Sequence, residues 1–128
     1  MCGIIGYIGE NKKASEIIDL LSMLEYRGYD SAGLSGYSGN KFELIKEIGP
    51  IDNLRAQISS DMQVSNAIAH TRWATHGASS IENAHPHRSS DGKWILVHNG
   101  IIENYKKLKN GLKTVPTGQT DTEVLVQY

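Results

Sequence analysis

Residues 1–8 read MCGIIGYI, a short apolar run set between glycines, with a cysteine directly behind the initiator methionine. Cys2 to Ile8 reads as a buried strand. Cys2 itself reads two ways. Cysteine packs well in a core, and a lone one is often inert. Removal of Met1 would instead leave Cys2 with both a thiol and a free α-amine. That amine has an ordinary pKa of about 7.7–8.0, close to the ~8.5 of a thiol, so one residue would supply nucleophile and base together.

Working outward, the rest of the chain alternates between strand and helix signals. Ser15 is placed to cap a helix running to about Tyr26, with Ile17, Ile18, Leu20, Leu21 and Leu24 on one face and Gly28 as its stop. Ala32 to Tyr37 and Lys41 to Ile48 flank Ser38-Gly39-Asn40 as a hairpin. Pro50 opens a short helix over residues 51–58. Val64 to His70 is an apolar strand leading into a polar loop over residues 71–92, and Trp94 to His98 is a further strand. Glu103 to Leu112 reads as a helix, and Thr120-Asp121-Thr122-Glu123 as a capped helix start. This mixed order points to α+β layers.

Composition narrows the function. Thirteen Lys and Arg against fourteen Asp and Glu leave a net charge of −1, which argues against a nucleic-acid surface. No apolar run has the length of a membrane span. The N-terminal apolar run lacks a basic region before it and is ended by Glu10, Lys12 and Lys13, unlike a signal peptide. A single cysteine has no partner within the chain, and a reducing, cytoplasmic setting is the simpler expectation.

Four further segments carry candidate chemistry. Ala69 to Gly77 reads AHTRWATHG, a polar and aromatic loop leaving an apolar strand. Arg72 offers a planar fork for a carboxylate, and Trp73 is suited either to a core or to a lid over a ligand. His98-Asn99-Gly100 sits at a strand end. Asn-Gly is a common hairpin turn, but an Asn side-chain N–H and a backbone N–H also make an oxyanion hole. Asp121 is either an ordinary helix-start residue or an acceptor for an α-ammonium group. The five histidines lack a zinc-ligand spacing or a second cysteine, so hydrogen-bonding or structural roles describe them better than a metal site.

Six motifs in one order resemble a single family: MCGI, EYRGYDSAG, AHTRWATHG, NAHPH, HNGIIEN and TDTE. They are similar to the N-terminal glutaminase domain of the class II glutamine amidotransferases. Trp73 and the NAHPH and HNGIIEN strings favour the glutamine–fructose-6-phosphate aminotransferase branch over the phosphoribosyl-pyrophosphate branch. The resemblance implies an N-terminal nucleophile hydrolase, an αββα sandwich with two antiparallel sheets. It implies that Cys2 is the nucleophile and that Asn99 and Gly100 form the oxyanion hole. Arg72 would hold the substrate α-carboxylate near Thr75 and His76, Asp121 the α-ammonium, and Trp73 would cover the site. Arg27 would support the pocket.

Other expectations also come from the resemblance. L-Glutamine is the substrate, and no cofactor or metal is needed. The ammonia passes to fructose 6-phosphate in sugar isomerase domains that residues 1–128 do not contain. The family's glutaminase domain runs past Tyr128, so the chain is expected to be its N-terminal part with an incomplete sandwich, within a homo-oligomeric enzyme. One departure stands out: Gln119 precedes Thr120-Asp121, where an acidic residue is more usual.

Overall fold

The computed structural model describes residues 1–75 and 77–128, and every side chain among them except that of Ser38. The chain begins with strand β1, Gly3–Lys13, runs directly into helix α1, Ala14–Ser22, and makes one turn of 3-10 helix over Glu25–Arg27. Strands β2, Ser31–Ser38, and β3, Lys41–Ile48, form the expected hairpin. Helix α2, Ile51–Gln57, starts behind Pro50 and leads to β4, Gln63–Arg72. These strands make one antiparallel sheet in the order β1-β4-β2-β3.

The two faces of this sheet do different work. Ala32 and Leu34 of β2 and Ala67 and Ala69 of β4 pack with Ile17, Ile18 and Leu21 of α1 and with Ile51 and Leu54 of α2. All are buried, and they form the core. Side chains alternate along a strand, so the cross-strand pair Gly33 and His70 faces the other side. There residues 85 and 86 lie directly on the sheet. A Cβ at Gly33 would sit 2.0 Å from the His85 carbonyl oxygen, so only glycine admits this approach.

That second layer holds a two-stranded antiparallel ladder, β5, His87–Arg88, with β6, Ile95–Leu96. Helix α4, Asp121–Gln127, packs on both strands, and α3, Tyr105–Asn110, packs on α4. The fold is therefore α+β, with helices outside two antiparallel sheets.

Several boundaries differ from the sequence reading. Helix α1 begins at Ala14 rather than behind Ser15. The Ala14 N–H donates to the Met62 carbonyl, so tertiary contact replaces a side-chain cap. The helix stops at Ser22, and residues to Arg27 turn more tightly. Strand β4 continues through Thr71 and Arg72, which were expected in a loop, and that loop contains β5. Strand β6 keeps only two of the five residues of WILVH, because the short β5 offers no longer partner. Thr120 caps α4 as expected, accepting from Glu123 N at 3.1 Å. The Glu123 carboxylate does not reach back to its cap; it accepts from Thr117 N and Gly118 N.

Candidate active site

Register brings the first candidates together. Gly3 pairs with Thr71 across β1 and β4, so the next position outward sets Cys2 opposite Arg72. The pairing is pinned by the Gly3 N–H, which donates to Thr71 Oγ1 at 3.0 Å. The Cys2 thiol then meets the chain just past β4. Trp73 N donates to Cys2 Sγ at 3.2 Å.

Cys2, Arg27, Arg72, Trp73 and Thr75 line one cavity of about 430 Å³. Asn99, Gly100 and Asp121 complete its wall from the second layer. His76 lies outside the described residues. Among the described residues, every position singled out from the sequence therefore faces the same space.

Each has definite neighbours. Arg72 is buried, and its guanidinium donates to the carbonyls of Ala78 at 3.0 Å and Gly77 at 3.4 Å. Trp73 is 44% exposed and stands edge-on to Tyr29, with ring centroids 5.5 Å apart. The next residue, Ala74, donates its N–H to the Asp30 carboxylate. Asp121 is buried and accepts from Ile102 N at 2.7 Å and Thr122 N at 2.9 Å. Arg27 Nε donates to the Cys2 carbonyl at 3.4 Å.

Asn99 is not part of a hairpin turn, because no strand follows Gly100. Gly100 has φ of 137°, a left-handed value that turns the chain away after β6. The Asn99 amide is oriented at both ends. Its Nδ2 donates to the Cys2 carbonyl at 3.0 Å, and its Oδ1 lies 2.8 Å from His70 Nε2. An amide oxygen only accepts, so His70 must carry its proton on Nε2.

His70 was not singled out as a site residue, and it opens a wider network. Its ring stacks on His85 with centroids 4.3 Å apart, and His85 meets His87 edge-on at 4.7 Å. His85 Nδ1 accepts from His98 N at 3.4 Å, and His87 Nε2 lies 2.8 Å from Thr120 Oγ1. His98 Nδ1 lies 3.3 Å from Thr122 Oγ1. The only advance signal was the density of histidine in AHT, NAHPH and HNG; their stacking depends on the crossing of layers.

Burial, first of all, keeps these three neighbouring imidazoles neutral. It lowers His70 from the ordinary 6.5 to about 4 and His87 to about 3, and lowers His85 further. The sign for stability follows. Below about pH 6.5 the unfolded chain takes up protons that the folded chain refuses, so stability falls as pH drops. Each proton contributes about 1.4 kcal/mol per pH unit, so three give a slope of about 4 kcal/mol per unit near pH 5. The urea midpoint of the protein should fall steadily from pH 7 to pH 5. A flat midpoint would mean that the folded state accepts these protons.

The model of the class-II glutamine amidotransferases matches residues 1–127. The chain belongs to that family. It is 48% identical over 128 residues to a glutamine–fructose-6-phosphate aminotransferase (isomerizing) of Streptococcus pyogenes, covering 98% of this chain and 21% of the relative. A Chlamydia trachomatis enzyme of the same name is 50% identical over 130 residues, covering 99% of this chain and 22% of that one. The chain thus spans about a fifth of the length of these curated relatives.

Among solved structures, a glutamine phosphoribosylpyrophosphate amidotransferase from B. subtilis superposes with a TM-score of 0.77 at 30% identity, over 98% of this chain and 28% of that one. A structure described as the allosteric regulatory enzyme of purine biosynthesis gives 0.81 at 29% identity, again over 98% and 28%. The fold is that of the N-terminal nucleophile hydrolase amidotransferases. Among the described residues, no helix is long and apolar enough to cross a membrane.

Proposed function

We propose that this class II amidotransferase chain releases ammonia from L-glutamine, with Cys2 as nucleophile after Met1 is removed. The observation that carries the reading is the convergence of Cys2, Asn99 and Gly100 on one cavity whose walls also bear Arg72 and Asp121. The last two offer opposite charges, as a zwitterionic α-amino acid requires.

The Cys2 amine takes the thiol proton, and Sγ attacks the carboxamide carbon of glutamine. Negative charge develops on the amide oxygen, where Asn99 Nδ2 and the Gly100 N–H hold it. The Cys2 ammonium passes its proton to the nitrogen, the C–N bond breaks and ammonia leaves. Water then attacks the γ-glutamyl thioester, releasing glutamate and restoring the thiol. Arg72 holds the α-carboxylate, with Thr75 and His76 nearby. Asp121 holds the α-ammonium, Trp73 covers the site and Arg27 supports the Cys2 carbonyl.

The names of the relatives support the rest of the reading. In the whole protein the ammonia goes to fructose 6-phosphate, giving glucosamine 6-phosphate for amino-sugar synthesis. Residues 1–128 are then the front part of the glutaminase domain, and the sugar-handling domains lie outside them. The reactive thiol suits a reducing cytoplasm, and the resemblance extends to a homo-oligomeric assembly.

The test is glutamate release by the complete protein. Arg72→Lys keeps a charge but loses the fork, so KM for glutamine should rise roughly tenfold or more, as loss of about 1.4 kcal/mol of binding would require. Asp121→Asn should raise KM similarly while synthesis from added ammonia persists. No glutamate release by the parent protein would defeat the reading, and an unchanged KM in Asp121→Asn would return that residue to a structural role.

A further inference from the structure

The loop after Arg72 and the start of α4 are distant in sequence, yet one clasp joins them, and its centre is Asn83. Asn83 is 2% exposed. Its Oδ1 accepts from Gln119 N at 2.6 Å, and its Nδ2 donates to the Ala78 carbonyl at 3.0 Å and to Gln119 Oε1 at 3.4 Å. Gln119 Oε1 also accepts from Ala78 N at 3.3 Å. Both backbone groups of Ala78 are therefore tied to the clasp.

Packing tightens the same junction. A Cβ at Gly77 would lie 2.9 Å from Asn83 Nδ2 and 3.3 Å from Gln119 Cβ. The Ala78 carbonyl that Asn83 holds is also the one that receives the Arg72 guanidinium at 3.0 Å. Gln119 stands two residues before Asp121, whose carboxylate is fixed by Ile102 N and Thr122 N. The clasp thus ties the carbonyl that orients Arg72 to the chain that leads into Asp121.

We propose that Asn83 and Gln119 are positioning residues that set the spacing of Arg72 and Asp121, and so the preference of the site for amides bearing both an α-carboxylate and an α-ammonium. This rests on the reading of Arg72 and Asp121 given above. The two α-groups sit on one carbon, so their receptors must be correctly spaced. A misplacement of about 1 Å can cost on the order of 10²-fold.

The clasp also explains the departure at Gln119. Its side chain meets Ala78 N and Asn83 Nδ2 through Oε1 alone, and both are donors. Acceptance is a capacity that an amide oxygen shares with a carboxylate. The residue type tolerated there is an acceptor of this length, whatever its charge.

The experiment uses the complete protein and two substrates, glutamine and 4-carbamoylbutanoate, which is glutamine without its α-amino group. Gln119→Met keeps the length and removes the acceptor. It should raise KM for glutamine roughly tenfold, below the ~10² that a full 1 Å misplacement can cost, with kcat changed by less than about threefold. The glutamine-to-carbamoylbutanoate ratio of kcat/KM should fall by a similar factor. Gln119→Glu should restore both values close to those of the parent. Asn83→Asp, which loses the Nδ2 donor, should behave like Gln119→Met.

A purely structural clasp would lower the unfolding midpoint and affect both substrates alike, leaving the ratio untouched. An unchanged ratio in Gln119→Met, or a Gln119→Glu protein as impaired as Gln119→Met, would overturn the proposal. A parent protein with no preference for glutamine would instead overturn the roles given to Arg72 and Asp121.

Discussion

Inserting an alanine between Met1 and Cys2 should abolish glutamine hydrolysis, with a loss of at least about 10³-fold. The argument starts from what holds Cys2. Its thiol accepts from Trp73 N, its carbonyl accepts from Asn99 Nδ2 and Arg27 Nε, and the following residue is pinned by Thr71. These contacts fix the sulfur and the carbonyl end without help from the amine. The insertion leaves them in place and changes one thing: the amine becomes a peptide nitrogen with no basic lone pair. Loss of a general base alone typically costs about 10²–10⁴. In the proposed mechanism the same group also returns the proton to the leaving nitrogen, which pushes the loss toward the upper end. The inserted protein should still react with a simple alkylating agent at Cys2, since the thiol remains half-buried at the cavity. Normal turnover with an N-terminus shown by mass spectrometry to be extended would remove the α-amine from the mechanism.

How much of this could be read in the chain beforehand depended on whether the signal was local. The β2–β3 hairpin, α2 behind Pro50 and the Thr120 cap were legible because each rests on neighbours in sequence. Strand β1 was not legible beyond Ile8, since Gly9-Glu10-Asn11 lacks apolar alternation. It continues to Lys13 because β4 still offers a partner past the register shift between Ile8 and Lys12. Ser15 carried a cap signal that α1 does not use, because Met62 supplies the acceptor from another element.

The site divided along the same line. Cys2 behind Met1 and Arg72 in a polar loop stood in telling positions, Asp121 sat at an ordinary helix start, and the roles of all three came from the resemblance. Asn99 was ambiguous, because Asn-Gly by itself is a better turn signal than an oxyanion signal. Only the Cys2 carbonyl on one side and His70 on the other decide its orientation. The contacts among His70, His85 and His87 had no signal beyond the density of histidines, and the Asn83–Gln119 clasp had no local signature. They are made by layers that meet only in the fold.

Asn99→Asp should reduce kcat for glutamine by about 10²–10³ while leaving KM close to that of the parent. The substitution is chosen because it is nearly isosteric. A carboxylate can still accept from His70 Nε2, so the contact at 2.8 Å survives. What it removes is the donor now at 3.0 Å from the Cys2 carbonyl, replacing N–H with an oxygen. That oxygen would face both the carbonyl and the negative charge that develops on the substrate amide. Loss of one oxyanion donor typically costs about 2.7–4 kcal/mol of transition-state stabilisation, hence the factor. A charged replacement adds repulsion to that loss, so Asn99→Asp should be at least as slow as Asn99→Ala. The ground-state amide oxygen carries little charge, which is why KM should move far less than kcat. The opposite pattern, a raised KM with kcat within about threefold of the parent, would make Asn99 a binding contact and leave the oxyanion to Gly100 alone.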